Sequence, residues 1–160
     1  MANFDELLDK LHKGSDSPEV GLIDEAKVII VNSKRQFVVP TNYDTVLAYT
    51  GDVNSQIVTF SLPLKHEGHN LSQCEFKMLR WKHAKSGVED WSELEIGPVT
   101  ETTMQLYWIV PPAAFAMAGS IEIAISIYDL IDGKPAFSWN TATYSGFAVK
   151  ETLSNIPYRG

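Results

Sequence analysis

The chain has 160 residues, of which 44% are hydrophobic and 21% are charged, and its formal net charge is −7. This length fits one domain, and the composition is globular rather than disordered, because the apolar surface can offset the entropy of ordering the chain. The 13 basic residues are scattered, which argues against a nucleic-acid partner, since such proteins need clustered Lys and Arg to displace the counterions of phosphates.

The sequence also gives expectations about compartment and redox chemistry. Residues 1–6 lack the basic stretch and apolar run of a signal peptide. No later stretch approaches the roughly 20 apolar residues that cross a bilayer. A single cysteine, Cys74, excludes an intramolecular disulfide and a multi-cysteine metal site. We therefore expect a soluble protein that is made in the cytoplasm and has no membrane partner.

The first predicted element is a short amphipathic helix over residues 1–14. It is followed by a polar linker over residues 15–25, which is broken by Pro18 and Gly21. Such a helix either packs back on the body of the protein or docks onto another chain, and the sequence leaves both alternatives open. The candidate partner-binding residues are the apolar side chains that recur at helical spacing. They are Phe4, Leu7, Leu8 and Leu11.

Residues 26–153 are predicted to form a β-domain, and residues 154–160 a C-terminal tail. In this region the helical period gives way to short runs of β-branched and aromatic residues, each closed by turn residues. The predicted strands cover residues 26–31, 36–39, 55–62, 73–81, 91–96, 103–110, 120–128, 136–139 and 145–150. The first two strands are predicted to form a hairpin, and residues 112–118 one helical turn.

Three details of these strands can be tested against the structure. The phase of the apolar residues changes near Met78 and Leu79, which indicates either a bulge or a strand that is buried on both faces. The strand over residues 91–96 is expected to stop at Gly97 and Pro98. In residues 120–128 four isoleucines line one face, so that the register admits no slip.

The predicted fold class is all-β. We expect an antiparallel β-sandwich of about eight or nine strands, preceded by the short N-terminal amphipathic helix. A closed barrel is the alternative.

No motif in the sequence points to catalysis. His66 and His69 enclose Glu67 and Gly68, but they are three residues apart in a predicted loop rather than four apart on a helix, so we interpret them as surface residues. Phosphate-binding loops and a nucleophile elbow are absent from the sequence. We therefore predict that the chain is not an enzyme and has no catalytic, cofactor-binding or metal-binding residues.

Several single residues have a structural interpretation. Glu93 and Glu95 alternate with apolar residues, as on the wet face of a strand. Cys74 is expected on the inward face beside Phe76, as a buried and inert thiol. At least three of the four tryptophans are expected in the core. An outward-facing aromatic could instead stack on a sugar, which keeps carbohydrate binding as an alternative function.

With the strands placed, about residues 29–153 resemble the N-terminal domain family of the phage baseplate upper protein, which occurs on tail and fibre proteins of phages of Gram-positive bacteria. Five short stretches carry the resemblance. They are VVP at residues 38–40, which ends the first hairpin, GDVNS at 51–55, LS at 71–72, AGS at 118–120 and WNT at 139–141. The N-terminal helix is not part of the shared pattern.

The resemblance implies a β-sandwich that attaches a virion appendage, without catalytic residues. We therefore expect a structural protein of the baseplate, tail or head fibre, which is located in the virion after synthesis in the host cytoplasm. Its partners would be other virion proteins and further copies of itself, with a trimer or another cyclic arrangement. The alternative function is a carbohydrate-binding module that attaches a virion to the host cell wall.

Overall fold

The computed structural model describes residues 27–50, 52 and 56–151. The predicted helix over 1–14, the linker over 15–25 and the tail over 154–160 lie outside the described residues. Within the described residues no helix is long and apolar enough to cross a membrane.

Strands dominate the described part of the chain, which confirms that the fold is mostly β. Two short 3₁₀ turns, Leu71–Gln73 and Pro112–Phe115, are its longer helical pieces, and the second confirms the helical turn predicted within residues 112–118. The strands are β1 (Val28–Val31), β2 (Phe37–Val38), β3 (Val46–Tyr49), β4 (Ile57–Pro63), β5 (Lys65–His66), β6 (His69–Asn70), β7 (Phe76–His83), β8 (Glu89–Glu93), β9 (Glu95–Val99), β10 (Thr103–Ile109), β11 (Gly119–Ile131), β12 (Lys134–Asn140) and β13 (Tyr144–Lys150).

The strands form two larger sheets and one small hairpin. Sheet I has the order β2-β1-β4-β10-β9, and sheet II has the order β3-β13-β11-β7-β8, with β12 also paired to β11. Among the described residues, strands β5 and β6 pair only with each other. Both larger sheets are mixed, and the strands curl into a half-barrel.

The prediction of purely antiparallel sheets is wrong. Strand β1 pairs with β4 in parallel, and β13 pairs with β3 in parallel. After the β1–β2 hairpin the chain places β3 in sheet II and then returns to sheet I as β4. A connection of this length lets the returning strand run in the same direction as β1, which a tight hairpin cannot do.

One cluster of buried side chains draws on both larger sheets. Phe60 and Trp108 enter it from sheet I, and Trp81 and Trp139 enter it from sheet II, each with at most 1% of its surface exposed. The inward isoleucines of β11 confirm the predicted face. They are Ile121, Ile123, Ile125 and Ile127.

The predicted single strand over residues 91–96 is two strands. β8 ends at Glu93 in sheet II, and β9 begins at Glu95 in sheet I. Leu94 lies at the crossing, where it is buried and its N–H donates to the Lys77 carbonyl at 2.8 Å. The expected stop at Gly97 is also wrong, because β9 is an edge strand and an edge tolerates Pro98.

Strand β7 contains no bulge. It pairs with β11 in unbroken register from Phe76 to His83. Leu79 is buried in the core, whereas Phe76 and Met78 lie on the opposite face and are only partly exposed. Phe76 stacks on Tyr128 there, with ring centroids 5.0 Å apart. The phase change in the sequence therefore reflects a strand that packs on both faces.

The first prediction concerns alkaline stability. Tyr43 packs against Phe147, and burial, followed by Tyr144 and Asp44, raises the pKa of its phenol from 10.0 to about 12. The unfolded chain releases this proton at lower pH than the folded chain does. The contribution of the protonated Tyr43 to the free energy of unfolding is therefore complete below about pH 10 and is lost as the pH rises to about 12. Tyr43→Phe should remove up to about 1.4 kcal/mol of that loss at pH 11, as measured by urea unfolding at neutral pH and at about pH 11.

The control for this test is Tyr49→Phe, because Tyr49 is 49% exposed. This variant should lose as much stability at alkaline pH as the unsubstituted protein does. Equal alkaline losses in Tyr43→Phe and the unsubstituted protein would contradict the prediction.

Candidate functional site

The partner-binding residues predicted from the sequence lie outside the described residues. They are Phe4, Leu7, Leu8 and Leu11. Their role as a docking stripe stays a prediction.

The segment with two histidines is a β-hairpin with a two-residue turn. β5 ends at His66 and β6 begins at His69. The residues between them, Glu67 and Gly68, have φ angles of 48° and 83°, as a tight hairpin turn requires at both of its central positions. In the described part of the chain no three His, Cys, Asp or Glu side chains lie close enough together to hold a metal ion.

Both histidines pack against β12, in a group that we call the β12 clamp: Arg35, His66, His69, Phe137 and Trp139. The Arg35 guanidinium lies 5.9 Å from the Trp139 ring centroid, and its Nη2 lies 2.9 Å from His66 Nε2. Because a guanidinium only donates, His66 Nε2 is the acceptor. His69 stacks on Phe137 at 4.1 Å. The clamp therefore joins the β1–β2 turn to sheet II.

His83 also has a structural role. It is buried, and its Nδ1 accepts a hydrogen bond from the Ser86 N–H at 3.2 Å. Its Nε2 therefore donates to the Met117 carbonyl at 2.9 Å. The ring fits because a Cβ at Gly119 would lie 2.9 Å from His83 Cε1. With both ring nitrogens engaged, His83 ties two loops together at one end of the sheets.

The nucleophile and carboxylate candidates do not converge. Cys74 is buried as expected, but it lies two residues before β7 begins, whereas the sequence analysis placed it within the strand. Burial and then the Asp129 carboxylate raise the pKa of its thiol, which keeps the weakly nucleophilic protonated form. Glu93 and Glu95 are exposed as predicted, but they lie in different sheets, since Glu95 pairs with Tyr107 of sheet I.

The exposed tryptophan lies on the outer side of sheet II. Trp81, Trp108 and Trp139 are buried, which confirms that three of the four belong to the core, whereas Trp91 is 48% exposed. The Arg80 guanidinium lies over the Trp91 ring, 5.7 Å from its centroid.

An open depression of about 260 Å³ lies beside Arg80 on the same sheet. Arg80 also forms an ion pair with Glu89 at 2.7 Å. Ala124 leaves space between the charged side chains that line the depression, including Lys82 and Glu122. This surface combines an exposed aromatic ring with polar groups, as sugar-binding surfaces do.

An exposed apolar surface lies at the β11–β12 tip, which we define as residues 129–135. The pairing of β11 with β7 ends at Tyr128, and the Asp129 carboxylate accepts a hydrogen bond from the Glu75 N–H at 2.7 Å. Beyond Asp129, β11 pairs with β12. Asp132 and Gly133 have φ angles of 51° and 76°, which confirms the predicted turn. Leu130 and Ile131, just before this turn, are 37% and 65% exposed. The sequence analysis missed these two residues, although apolar side chains beside a hairpin turn are a usable signal.

No protein-family model matches the chain, and no curated protein is significantly similar to it.

The second prediction tests the β12 clamp. His66→Ala removes the acceptor of Arg35 and the ring that faces Trp139, so it should lower the free energy of unfolding by about 1–2 kcal/mol in urea. Lys65→Ala, at the exposed neighbouring position, is the control and should change it by less than about 0.5 kcal/mol.

A double-mutant cycle with Arg35→Ala isolates the Arg35–His66 pair. Additive losses would contradict a direct interaction between the two side chains.

Proposed function

We propose that this chain is a non-enzymatic docking domain that assembles through protein–protein contacts. The observation that carries the proposal is the β11–β12 tip, a hairpin end beyond the β11–β7 pairing whose Leu130 and Ile131 are exposed. A two-stranded hairpin gains little stability alone, and exposed apolar side chains on it cost free energy until another surface covers them. A partner surface supplies that cover.

The resemblance of residues 29–153 to the baseplate upper protein family supports a setting for this function. We propose that the chain is a virion structural protein of a phage, in the baseplate, tail or head fibre. Its partners are then other virion proteins and further copies of the chain.

We propose further that sheets I and II pack face to face as a β-sandwich. The single cluster of buried side chains supports this arrangement, because Trp108 of sheet I and Trp81 of sheet II both belong to it. The arrangement leaves the strand ends, hairpin tips and outer faces for contacts with partners.

The roles of the titratable side chains support a non-enzymatic function. His66 contacts Arg35, His69 stacks on Phe137, and both ring nitrogens of His83 are engaged. A general base needs a proton-accepting atom that faces a substrate. The hydrogen bonds and ring contacts of these histidines stabilise the fold.

The occupant that we propose for the tip is a second copy of the chain. Strand β9, at the free edge of sheet I, presents Ile96 and Val99, each 47% exposed. The tip of one copy can contact β9 of the next, and a head-to-tail contact of this kind closes into a ring when the rotation between copies is correct. A trimer is the smallest such ring beyond a dimer.

The third prediction tests this contact by light scattering over a range of protein concentrations. The unsubstituted chain should form a discrete oligomer, and Ile131→Asp should shift it to the monomer, because a charge at the contact is buried without a partner. Val99→Asp should do the same from the other side of the contact.

The matched control is Val88→Asp, since Val88 is 53% exposed but lies at neither surface. This variant should assemble like the unsubstituted chain. An unsubstituted chain that stays monomeric at every concentration would contradict the self-assembly.

The second candidate function is carbohydrate binding, and Trp91 is the observation that favours it. Its exposed ring lies near the polar depression on sheet II. It ranks behind docking because the Arg80 guanidinium already covers one face of the ring, so a sugar could stack only on the other face or after displacing Arg80.

The fourth prediction separates the two functions. If the domain binds glycans, Trp91→Ala should abolish binding to cell-wall polysaccharide in a pull-down, whereas Tyr49→Ala should not. Tyr49 is a suitable control because it is equally exposed, at 49%, and lies on edge strand β3 of the same sheet. No binding by the unsubstituted chain would remove this candidate and leave docking.

A further inference from the structure

Strands β3 and β8 are the two end strands in the order of sheet II. An end strand has backbone N–H and C=O groups that point away from its neighbour, and a strand of another molecule can pair with them. Such pairing needs N–H groups that are free to donate. The outward N–H groups of β3 and β8 therefore determine whether sheet II can be extended at these two edges.

The first outward N–H group of β3 is bound by an aspartate. The Ala148 N–H of β13 donates to the Thr45 carbonyl at 3.0 Å. Because the C=O and N–H of one trans peptide unit point in opposite directions, the N–H of the next residue, Val46, points away from β13. It donates to Asp44 Oδ1 at 3.0 Å. The donor that an added strand would use here is already bonded.

The other end of β3 is closed in the same manner. The Thr50 N–H donates to the Lys150 carbonyl of β13 at 2.9 Å. The preceding carbonyl and N–H, both of Tyr49, therefore point away from β13, because the two groups of one strand residue lie on the same side. The Tyr49 N–H donates to Asp52 Oδ2 at 3.0 Å. Both ends of the β3 edge thus carry a carboxylate on an outward donor.

The β8 edge carries a third carboxylate. The His83 N–H of β7 donates to the Val88 carbonyl at 2.8 Å, and in an antiparallel pair the backbone groups of alternate residues face the partner. Trp91, three residues later, therefore points its N–H away from β7, and this N–H donates to Asp90 Oδ1 at 2.8 Å. An added strand bonds at every second residue, so this blocked central donor divides the β8 edge in two.

We propose that Asp44, Asp52 and Asp90 are edge caps, which close the β3 and β8 edges of sheet II to the strands of other molecules. Each carboxylate occupies an outward N–H group. It also places negative charge where the carbonyl oxygen of an incoming strand would have to lie. Charged side chains at sheet edges prevent edge-to-edge aggregation in this way.

The edge of sheet I at β9 has a different character. The Thr100 N–H donates to the Thr103 carbonyl at 2.9 Å, so odd-numbered residues of β10 point their backbone groups toward β9. Ile96 and Val99 pair with even-numbered residues of β10, and their N–H groups therefore point outward. Neither N–H donates to a side chain of the described residues. The edge caps thus leave β9 open while they close the ends of sheet II.

This proposal goes beyond the docking function and stands without it. The experiments therefore use the full chain with Val99→Asp, in which the proposed contact between the tip and β9 is removed. Association through the ends of sheet II is then measured alone. A chain that is monomeric without any substitution would contradict the docking function but not the edge caps.

The test compares the rates at which the variants form aggregates that bind thioflavin T. Asp90→Ala frees the Trp91 N–H and should raise this rate about tenfold or more, because a bare edge donor permits strand addition. Asp90→Asn keeps an acceptor oxygen and should leave the rate unchanged. Asp132→Asn removes the same charge from an exposed turn that Asn also adopts readily, and it controls for the change in net charge.

A second substitution shows whether the released N–H is the cause. In the Asp90→Ala chain, Trp91→Pro removes this N–H without removing a bond to β7, and it should restore the original rate. Trp91→Ser removes the same ring but keeps the N–H, so it should not restore the rate. Equal effects of Pro and Ser, or an Asp90→Ala chain that aggregates no faster than Asp132→Asn, would overturn the proposal.

The β3 edge provides an independent pair of variants. Asp44→Ala should aggregate faster than Asp44→Asn, because only the alanine variant leaves the Val46 N–H without an acceptor. Urea unfolding, followed by the fluorescence of the buried tryptophans, gives the folded fraction of each variant under the assay conditions. Aggregation rates that follow the folded fraction across the variants, rather than the loss of a cap, would also overturn the proposal.

Discussion

The rest of the structure depends on the core that the two larger sheets share. Neither sheet alone could bury the inner side chains of its strands. The indoles of Trp81, Trp108 and Trp139 are buried in one cluster with side chains from both sheets. The indole N–H groups of Trp81 and Trp108 are buried without a hydrogen-bond acceptor among the described residues. Each such group costs about 1–3 kcal/mol, so the packing of the large rings must outweigh a polar penalty.

This shared core determines where function can lie. The chain crosses between the sheets at Leu94, where the Leu94 N–H donates to the Lys77 carbonyl and the side chain is buried. The histidines contact neighbouring loops and rings in the same way. Exposed apolar side chains that the core does not use include Leu130 and Ile131 at the β11–β12 tip and Ile96 and Val99 along β9, where we propose that partners bind.

The sequence predicts those parts of the fold that depend on local pattern. The isoleucines of β11, the Asp132 turn and the β1–β2 hairpin are confirmed because alternation and turn chemistry specify them within a few residues. The split at Leu94 and the parallel partners of β1 and β13 could not be predicted, since pairing between distant strands leaves no local signal. Strand β3, at residues 46–49, was missed for a related reason, because four residues give too short a pattern.

The candidate surfaces were predictable to a smaller extent. The sequence predicts that at least three tryptophans are buried, but not that Trp91 is the exposed one. The position of Trp91 follows from the crossing between the sheets at Leu94, which has no local signal. The contacts of the β12 clamp join residues from three separate segments, which only the folded chain brings together.

The most direct test of the docking account is a disulfide trap between copies. In a Cys74→Ala background, Ile131→Cys on the tip and Val99→Cys on β9 would be combined in one chain and oxidised at low protein concentration. The account predicts a ladder of cross-linked species that ends at one closed ring and reverts to the single chain on reduction. Cross-linking within single chains only, or no cross-linking, would contradict it.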